Sequence, residues 1–367
     1  MKRSFVLLAI FVAAFACLPG TSPSGDLQHI AYQPETIALQ DPPAFVRMVI
    51  PQDNPLTIQG IALGRQLFYD PLLSADSTQS CASCHQPLIA FTDARAVSVG
   101  VKGKRGKRSS PSLFNVGYYY KGLFWDGRSS SLEEQAFHPV RDELEMALGW
   151  EEAVQRLQQH PTYPVLFRKA FGIKNINQID SVLVARALAQ FQRTLISSDA
   201  KLDRVKRGEA TFTASEERGA HIFSDSSPDD IPVSECVHCH VDPLFTNLEF
   251  FNNGILTPEE QMLVQDKGRF SITGRRSDLY KFRTPTLRNI ALTAPYMHDG
   301  RFATLEEVID HYASGGHFAE NVNPNVRVLH LEQEDKADLI AFLHTLTDSS
   351  ALYNPAYQRP VASDVKF

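Results

Sequence analysis

Two short runs carry the densest chemistry in this chain, CASCH at 81–85 and CVHCH at 236–240. In each, two thiols stand three positions apart and a histidine follows the second directly. Thiols at that spacing can add to the two vinyl groups of one porphyrin while the adjacent imidazole reaches beneath the ring to bind its iron. One such run would also suit a zinc ion or a redox dithiol. Two runs, using four of the five cysteines, point to two covalently bound c-type haems at Cys81, Cys84, Cys236 and Cys239, with His85 and His240 as proximal iron ligands.

The segments that must position these groups repeat. GRQLF (64–68) precedes the first run and GAHIF (219–223) the second; FTD (91–93) and FTN (245–247) follow, then SPSLFNV (110–116) and TPTLRNI (284–290). DGRSSSLEE (126–134) and DGRFATLEE (299–307) agree at six of nine positions without a gap, which makes descent from one module the simplest reading. The expected fold is mostly α, two cytochrome c-like haem domains related by internal duplication, and a chain of 367 residues has room for two such cores. The expected divisions are a signal peptide at 1–16, a leader at 17–50, an N-terminal haem domain at 51–205, a C-terminal haem domain at 206–348 and a tail at 349–367. Ser131 and Thr304 read as N-caps, with Glu134 and Glu307 at the capping-box position. Each would start a helix that crosses the open side of its haem.

YMHDGRFATLEEVIDHY (296–312) offers four side chains able to bind iron: Met297, His298, His311 and Tyr312. An offset of 173 pairs Trp125 with His298, His138 with His311 and Pro139 with Tyr312. Were His311 the ligand, His138 would cap the first haem as well. If the position shared by Tyr312 and Pro139 points at iron, the second haem has a sixth ligand and the first cannot. Between His85 and His138 there is neither histidine nor methionine, so the first iron is expected to be open.

The formal net charge of −6 argues against a nucleic-acid partner. The one basic run, VKGKRGKR (101–108), reads as a solvated loop, with docking of an acidic partner as the sharper alternative. Lys2 and Arg3, followed by the apolar stretch Phe5 to Ala16, have the anatomy of a secretory signal and are too short to span a bilayer. Export to the periplasm is expected. Cys17 follows Ala14-Phe15-Ala16 directly, leaving plain cleavage and a lipid anchor at Cys17 as the two outcomes; no other apolar run has membrane length.

GRQLFYDPLLSADSTQSCASCHQP, FWDGR, ECVHCH and FRTPTLRNIALTAPYMHDGRFATLEE stand in this order within residues 55–348. Over that span the chain resembles the bacterial dihaem cytochrome c peroxidase and MauG family. The resemblance implies a peroxidatic haem in the first domain and an electron-transfer haem in the second. Where peroxidases of the family carry a histidine cap in Ser-x-Gly-His, this chain reads Ser98-Val99-Gly100-Val101. Where their second haem has a methionine, it has Tyr312, as does MauG, which oxidises residues of a partner protein. Met297 stands away from that position and reads as core packing, and His298 as lying near the inter-haem path. The resemblance also implies Gln135 and Glu145 as distal groups, with the carboxylate moving the peroxide proton, and Trp125 as the tryptophan between the haems. A calcium ion would take the carbonyls of Thr293 and Pro295, with Ser109 in place of the family's asparagine.

The expected function follows: hydrogen peroxide forms high-valent iron at the open N-terminal haem, the His240/Tyr312 haem shares the oxidising equivalents, and a partner protein is oxidised. The alternatives are a conventional peroxidase drawing electrons from a small c-type cytochrome and a non-catalytic dihaem electron carrier.

Overall fold

The computed structural model describes residues 25–225, 228 and 231–361; the expected signal peptide and Cys17 lie outside them. The described residues are mostly helical, and their named strands are two dipeptides, Phe250–Phe251 and Phe282–Arg283, paired antiparallel. Three helices matter in each half: α1 (Ile58–Tyr69), α2 (Leu132–Arg141) and α3 (Ser181–Arg193), then α4 (Ala214–Phe223), α5 (Leu305–Ala313) and α6 (Gln333–His344). Two apolar cores form around them, one holding Leu67, Phe68, Phe91, Phe114 and Phe191, the other Ile222, Phe223, Phe245, Ile309 and Phe342. The fold is thus the mostly α, two-domain cytochrome c-like arrangement that the repeat implies.

The duplication extends to the closest contacts. α1 packs on α3 and α4 on α6, and both crossings occur at a glycine of the GRQLF/GAHIF repeat. A β-carbon on Gly64 would lie 1.9 Å from the Ala187 carbonyl oxygen, and one on Gly219 would lie 2.0 Å from that of Asp338. No side chain fits at either point. The last residue of the repeat then meets a phenylalanine of the partner helix in both halves, Phe68 with Phe191 at 5.3 Å and Phe223 with Phe342 at 5.2 Å between ring centroids. Asn115 and Asn289 both adopt left-handed backbone, φ 63° and 61°, which asparagine tolerates better than most residues. Their backbone N–H groups donate to Leu195 and Leu346 at 2.8 and 2.9 Å, just past the ends of α3 and α6.

α5 begins with the expected capping box of Thr304 and Glu307. At α2 the box is modified: Ser131 caps the Glu134 N–H at 3.1 Å, but the Glu134 carboxylate turns to the Ser130 N–H and hydroxyl, both at 2.7 Å. The segments expected to flank the domains pack on the first one. Leu27 and Tyr357 join the first core, and Arg65 donates to the Pro355 and Gln358 carbonyls at 2.8 and 2.7 Å.

Replacing either crossing glycine forces helix backbones apart. Gly64→Ala and Gly219→Ala are each expected to cost about 1–3 kcal/mol or more, the usual range for overpacking, read as a lowered melting temperature of the haem-loaded protein. Unchanged melting would show that the crossings are not close-packed.

Candidate haem sites

The first site is built on the short helical turn Cys81–Cys84. His85 Nδ1 lies 2.7 Å from the Phe91 carbonyl oxygen; donating there fixes the tautomer and leaves Nε2 free to bind metal. Burial pushes the imidazole down to about 4, so it is neutral, the form that ligates. Burial likewise pushes the Cys81 and Cys84 thiols up to about 12 and about 11. Cys81, Cys84 and His85 border a cavity of about 540 Å³ that Phe124, Trp125, Gln135, Pro139 and Glu145 also line. His85 is the only histidine in that lining, and the lining contains no tyrosine. Its one methionine, Met146, belongs to the first core.

Glu145 is the electrostatically unusual group here. Burial pushes its carboxyl up to about 7, the charge of Asp142 adds to the effect and Arg128 opposes it. The Ser98-Val99-Gly100-Val101 segment runs against it: Val101 N–H donates to the Glu145 carbonyl at 2.8 Å. A β-carbon on Gly100 would come within 2.4 Å of that oxygen, so glycine is required for the approach.

The donors present suit a covalently attached haem. Two unpaired thiols and a neutral imidazole with a free Nε2 line one large cavity. Arg283, also in the lining, has a buried Nη1 with no hydrogen-bond partner among the described residues, and a haem's two carboxylates are the kind of group that would satisfy it. The zinc alternative lacks support, since no group of three or more His, Cys, Asp or Glu side chains among the described residues is arranged to hold a metal ion.

The second site repeats the first on its proximal side. His240 Nδ1 meets the Phe245 carbonyl oxygen at 3.1 Å, and burial pushes the ring down to about 4. The surroundings of Tyr312, near the end of α5, differ from those of Pro139. Burial pushes its phenol up to about 12, and Cys239 and Cys236 act electrostatically in the same direction, so the phenol lies within electrostatic reach of both thiols of the second motif. Asn253 Nδ2 donates to the Tyr312 hydroxyl at 3.2 Å, and the Asn253 carbonyl oxygen lies 3.0 Å from His311 Nε2. His311 is therefore occupied by a backbone carbonyl. His298 is buried and stacked on Phe282, ring centroids 3.6 Å apart.

Between the halves, Trp125 is buried and its indole donates to the Ser109 carbonyl at 2.9 Å. Ser109 in turn donates its N–H to the His298 carbonyl and its hydroxyl to the Met297 carbonyl, both at 2.8 Å. Ser109, Thr293 and Pro295, the calcium candidates, line a small cavity of about 60 Å³ together with Arg283 and Arg288, and its lining contains no carboxylate. The basic run departs from a wholly solvated loop. Lys102, Lys104, Arg105 and Lys107 are exposed, whereas Arg108 grips Asp266 of the second half at 2.6 and 2.7 Å and Asp126 of the first at 2.7 Å. Desolvation is offset there by two carboxylates, so the last cation of the run serves as a clasp.

Comparison with known proteins agrees with this arrangement. Residues 58–211 match the family model described as di-haem cytochrome c peroxidase. The chain is 35% identical to the methylamine utilization protein MauG of Methylorubrum extorquens, over 81% of this chain and 80% of that one. It is 33% identical to the cytochrome-c peroxidase IdrP1 of Pseudomonas sp. strain SCT, over 86% and 89%. Its structure superposes on that of a MauG-like protein associated with microbial copper homeostasis with a TM-score of 0.80 at 35% identity, covering 88% of this chain and 99% of the other. The chain belongs to the di-haem cytochrome c peroxidase family, and with it to the haem enzymes that act on hydrogen peroxide.

Proposed function

We propose that this protein uses hydrogen peroxide at the His85 site and stores the oxidising equivalents across both sites for delivery to a partner protein, in the manner of MauG. The observation that carries the reading is the asymmetry between two copies of one module. The cavity at His85 has no second histidine and no phenol in its lining, while the second half has a buried phenol, Tyr312, at the position of Pro139 and within electrostatic reach of Cys236 and Cys239. When bound, the haems supply the iron redox chemistry.

The chain's own residues divide the remaining work. With a pKa near 7, Glu145 is suited to take the proton of an incoming peroxide and return it to the leaving oxygen, and Gln135 in the same cavity supplies an amide to orient it. Val101, where a capping histidine would stand, is apolar and buried, so peroxide needs no ligand displaced before it binds. Trp125, hydrogen-bonded to Ser109 and through it to His298, sits on the covalent and hydrogen-bonded route between halves. Tyr312 offers a hard anionic oxygen, which favours ferric and higher states over ferrous. That preference suits storage better than acceptance of electrons from a small c-type cytochrome, the role of the conventional peroxidases. Ser109, Thr293 and Pro295 offer oxygens to a calcium ion, but calcium favours carboxylate-rich sites, and with two guanidiniums alongside that pocket would hold it weakly. Among the described residues no helix is long and apolar enough to cross a membrane, and the signal expected at residues 1–16 would export the protein to the periplasm.

Peroxide added to the diferric protein should change the spectra of both haems; an unchanged spectrum would leave only the electron-carrier alternative. The reaction rate should rise as pH climbs through about 7 and level off above, because the carboxyl must be ionised to accept a proton. Glu145→Gln should remove that rise and slow the reaction by about 100-fold or more, measured by stopped-flow absorbance. A Tyr312→Phe variant should still consume peroxide at the first site but lose the shared oxidised state, and sharing at the wild-type level would contradict the storage role.

A further inference from the structure

Met297 does not occupy the core position expected of it. It is half-buried and belongs to none of the three apolar clusters among the described residues. Its carbonyl accepts the Ser109 hydroxyl at 2.8 Å, and both residues line the small pocket between the halves. Its sulfur accepts from Asn253 Nδ2 at 3.5 Å. The same nitrogen donates to the Tyr312 hydroxyl at 3.2 Å. The thioether and the phenol therefore converge on one amide, which with Tyr312 as the ligand lies on the distal side of the second site.

The duplication gives an independent reason to place Met297 there. Its counterpart is Phe124, and both residues have left-handed backbone, φ 76° and 64°, which bulky side chains rarely adopt. Both follow the same bridge: Leu123 N–H donates to Ser129 at 2.8 Å and Tyr296 N–H to Phe302 at 2.7 Å. In the first half, this turn sets Phe124 into the lining of the cavity at His85. In the second half, the same turn presents a side chain with a donor atom. Left-handed backbone at a non-glycine residue costs of order 1–3 kcal/mol and persists where the surroundings hold it, yet Met297 gains no place in the core in return.

We infer that Met297 is a second axial ligand of the C-terminal haem, exchanging with Tyr312 when the iron is reduced. The inference rests on Tyr312 being the ligand in the ferric protein. Phenolate is a hard anion suited to ferric iron, and a thioether is a soft donor suited to ferrous iron. On reduction, one electron from an external one-electron donor goes to iron, and the bond to the Tyr312 oxygen breaks. The phenolate takes one proton from solvent, and a bond to the Met297 sulfur forms; reoxidation reverses each change. With Tyr312 bound, the site holds oxidising equivalents; with Met297 bound, it is stabilised as an electron carrier. Asn253 stays in place and serves both partners.

The test uses the haem-loaded protein, fully reduced with dithionite, and reads coordination by absorption and magnetic circular dichroism. The wild-type second haem should be low-spin in the ferrous state, and Met297→Leu should convert it to high-spin while its ferric spectrum stays that of the wild type. That intact ferric spectrum shows that the variant is folded. Tyr312→Phe should bring the near-infrared thioether band into the ferric spectrum, and the double variant should lose it. An identical reduced spectrum in wild type and Met297→Leu overturns the exchange while leaving Tyr312 as ligand. A ferric spectrum indifferent to Tyr312→Phe overturns both.

Discussion

Each half of this protein is organised around one hydrogen bond, from the Nδ1 of its motif histidine to the carbonyl of a phenylalanine a few residues on. His85 meets Phe91, and His240 meets Phe245. Because Nδ1 is occupied, Nε2 is the atom left for metal, and the ring is held in one tautomer. Because Phe91 and Phe245 are themselves core residues, the imidazole is tied to the apolar interior rather than to a free loop. Their rings pack on Phe68 and Phe223, which sit one turn past the glycines of the helix crossings. The helix packing and the orientation of the ligand are thus one mechanical unit, made twice.

With the proximal sides alike, function depends on what differs across the distal sides. Pro139 and Tyr312 stand at the same place in α2 and α5, as do Phe124 and Met297 in the turns before them. Each difference replaces a side chain without a donor atom by one that has it. The His85 site also has a carboxyl raised by burial, and the glycine at 100 lets the backbone close against that residue. The two halves meet through Arg108 and its two aspartates and through the Ser109 bonds that connect Trp125 to the second half. Charge pairing and backbone hydrogen bonds hold the sites in register, beside a small apolar cluster in which Met48 and Tyr118 of the first half meet Leu244 of the second.

Much of this was legible in the sequence. The attachment motifs, the duplication and the N-caps at Ser131 and Thr304 are local patterns, and local patterns survive in one dimension. The helix crossings were legible as repeated GRQLF and GAHIF, although only the backbone distances explain why the glycines are there. The partners that act across the chain were not. Asn253 lies 59 residues from Tyr312, in an FFNNG run whose composition says only that a turn is near. Arg108 ends a basic run, and nothing in that run foretells a carboxylate 158 residues away. Met297 was read as core packing because it stands away from the family's ligand position, and its left-handed backbone has no signature in side-chain type.

The central claim is that one module has been made open and the other closed. Electron paramagnetic resonance of the fully oxidised, haem-loaded protein tests it most directly. One high-spin ferric signal, from the His85 haem, and one low-spin ferric signal, from the His240 haem, are predicted in equal amounts. Two low-spin signals would mean that the first iron is capped, and the account of an open peroxide site would be wrong.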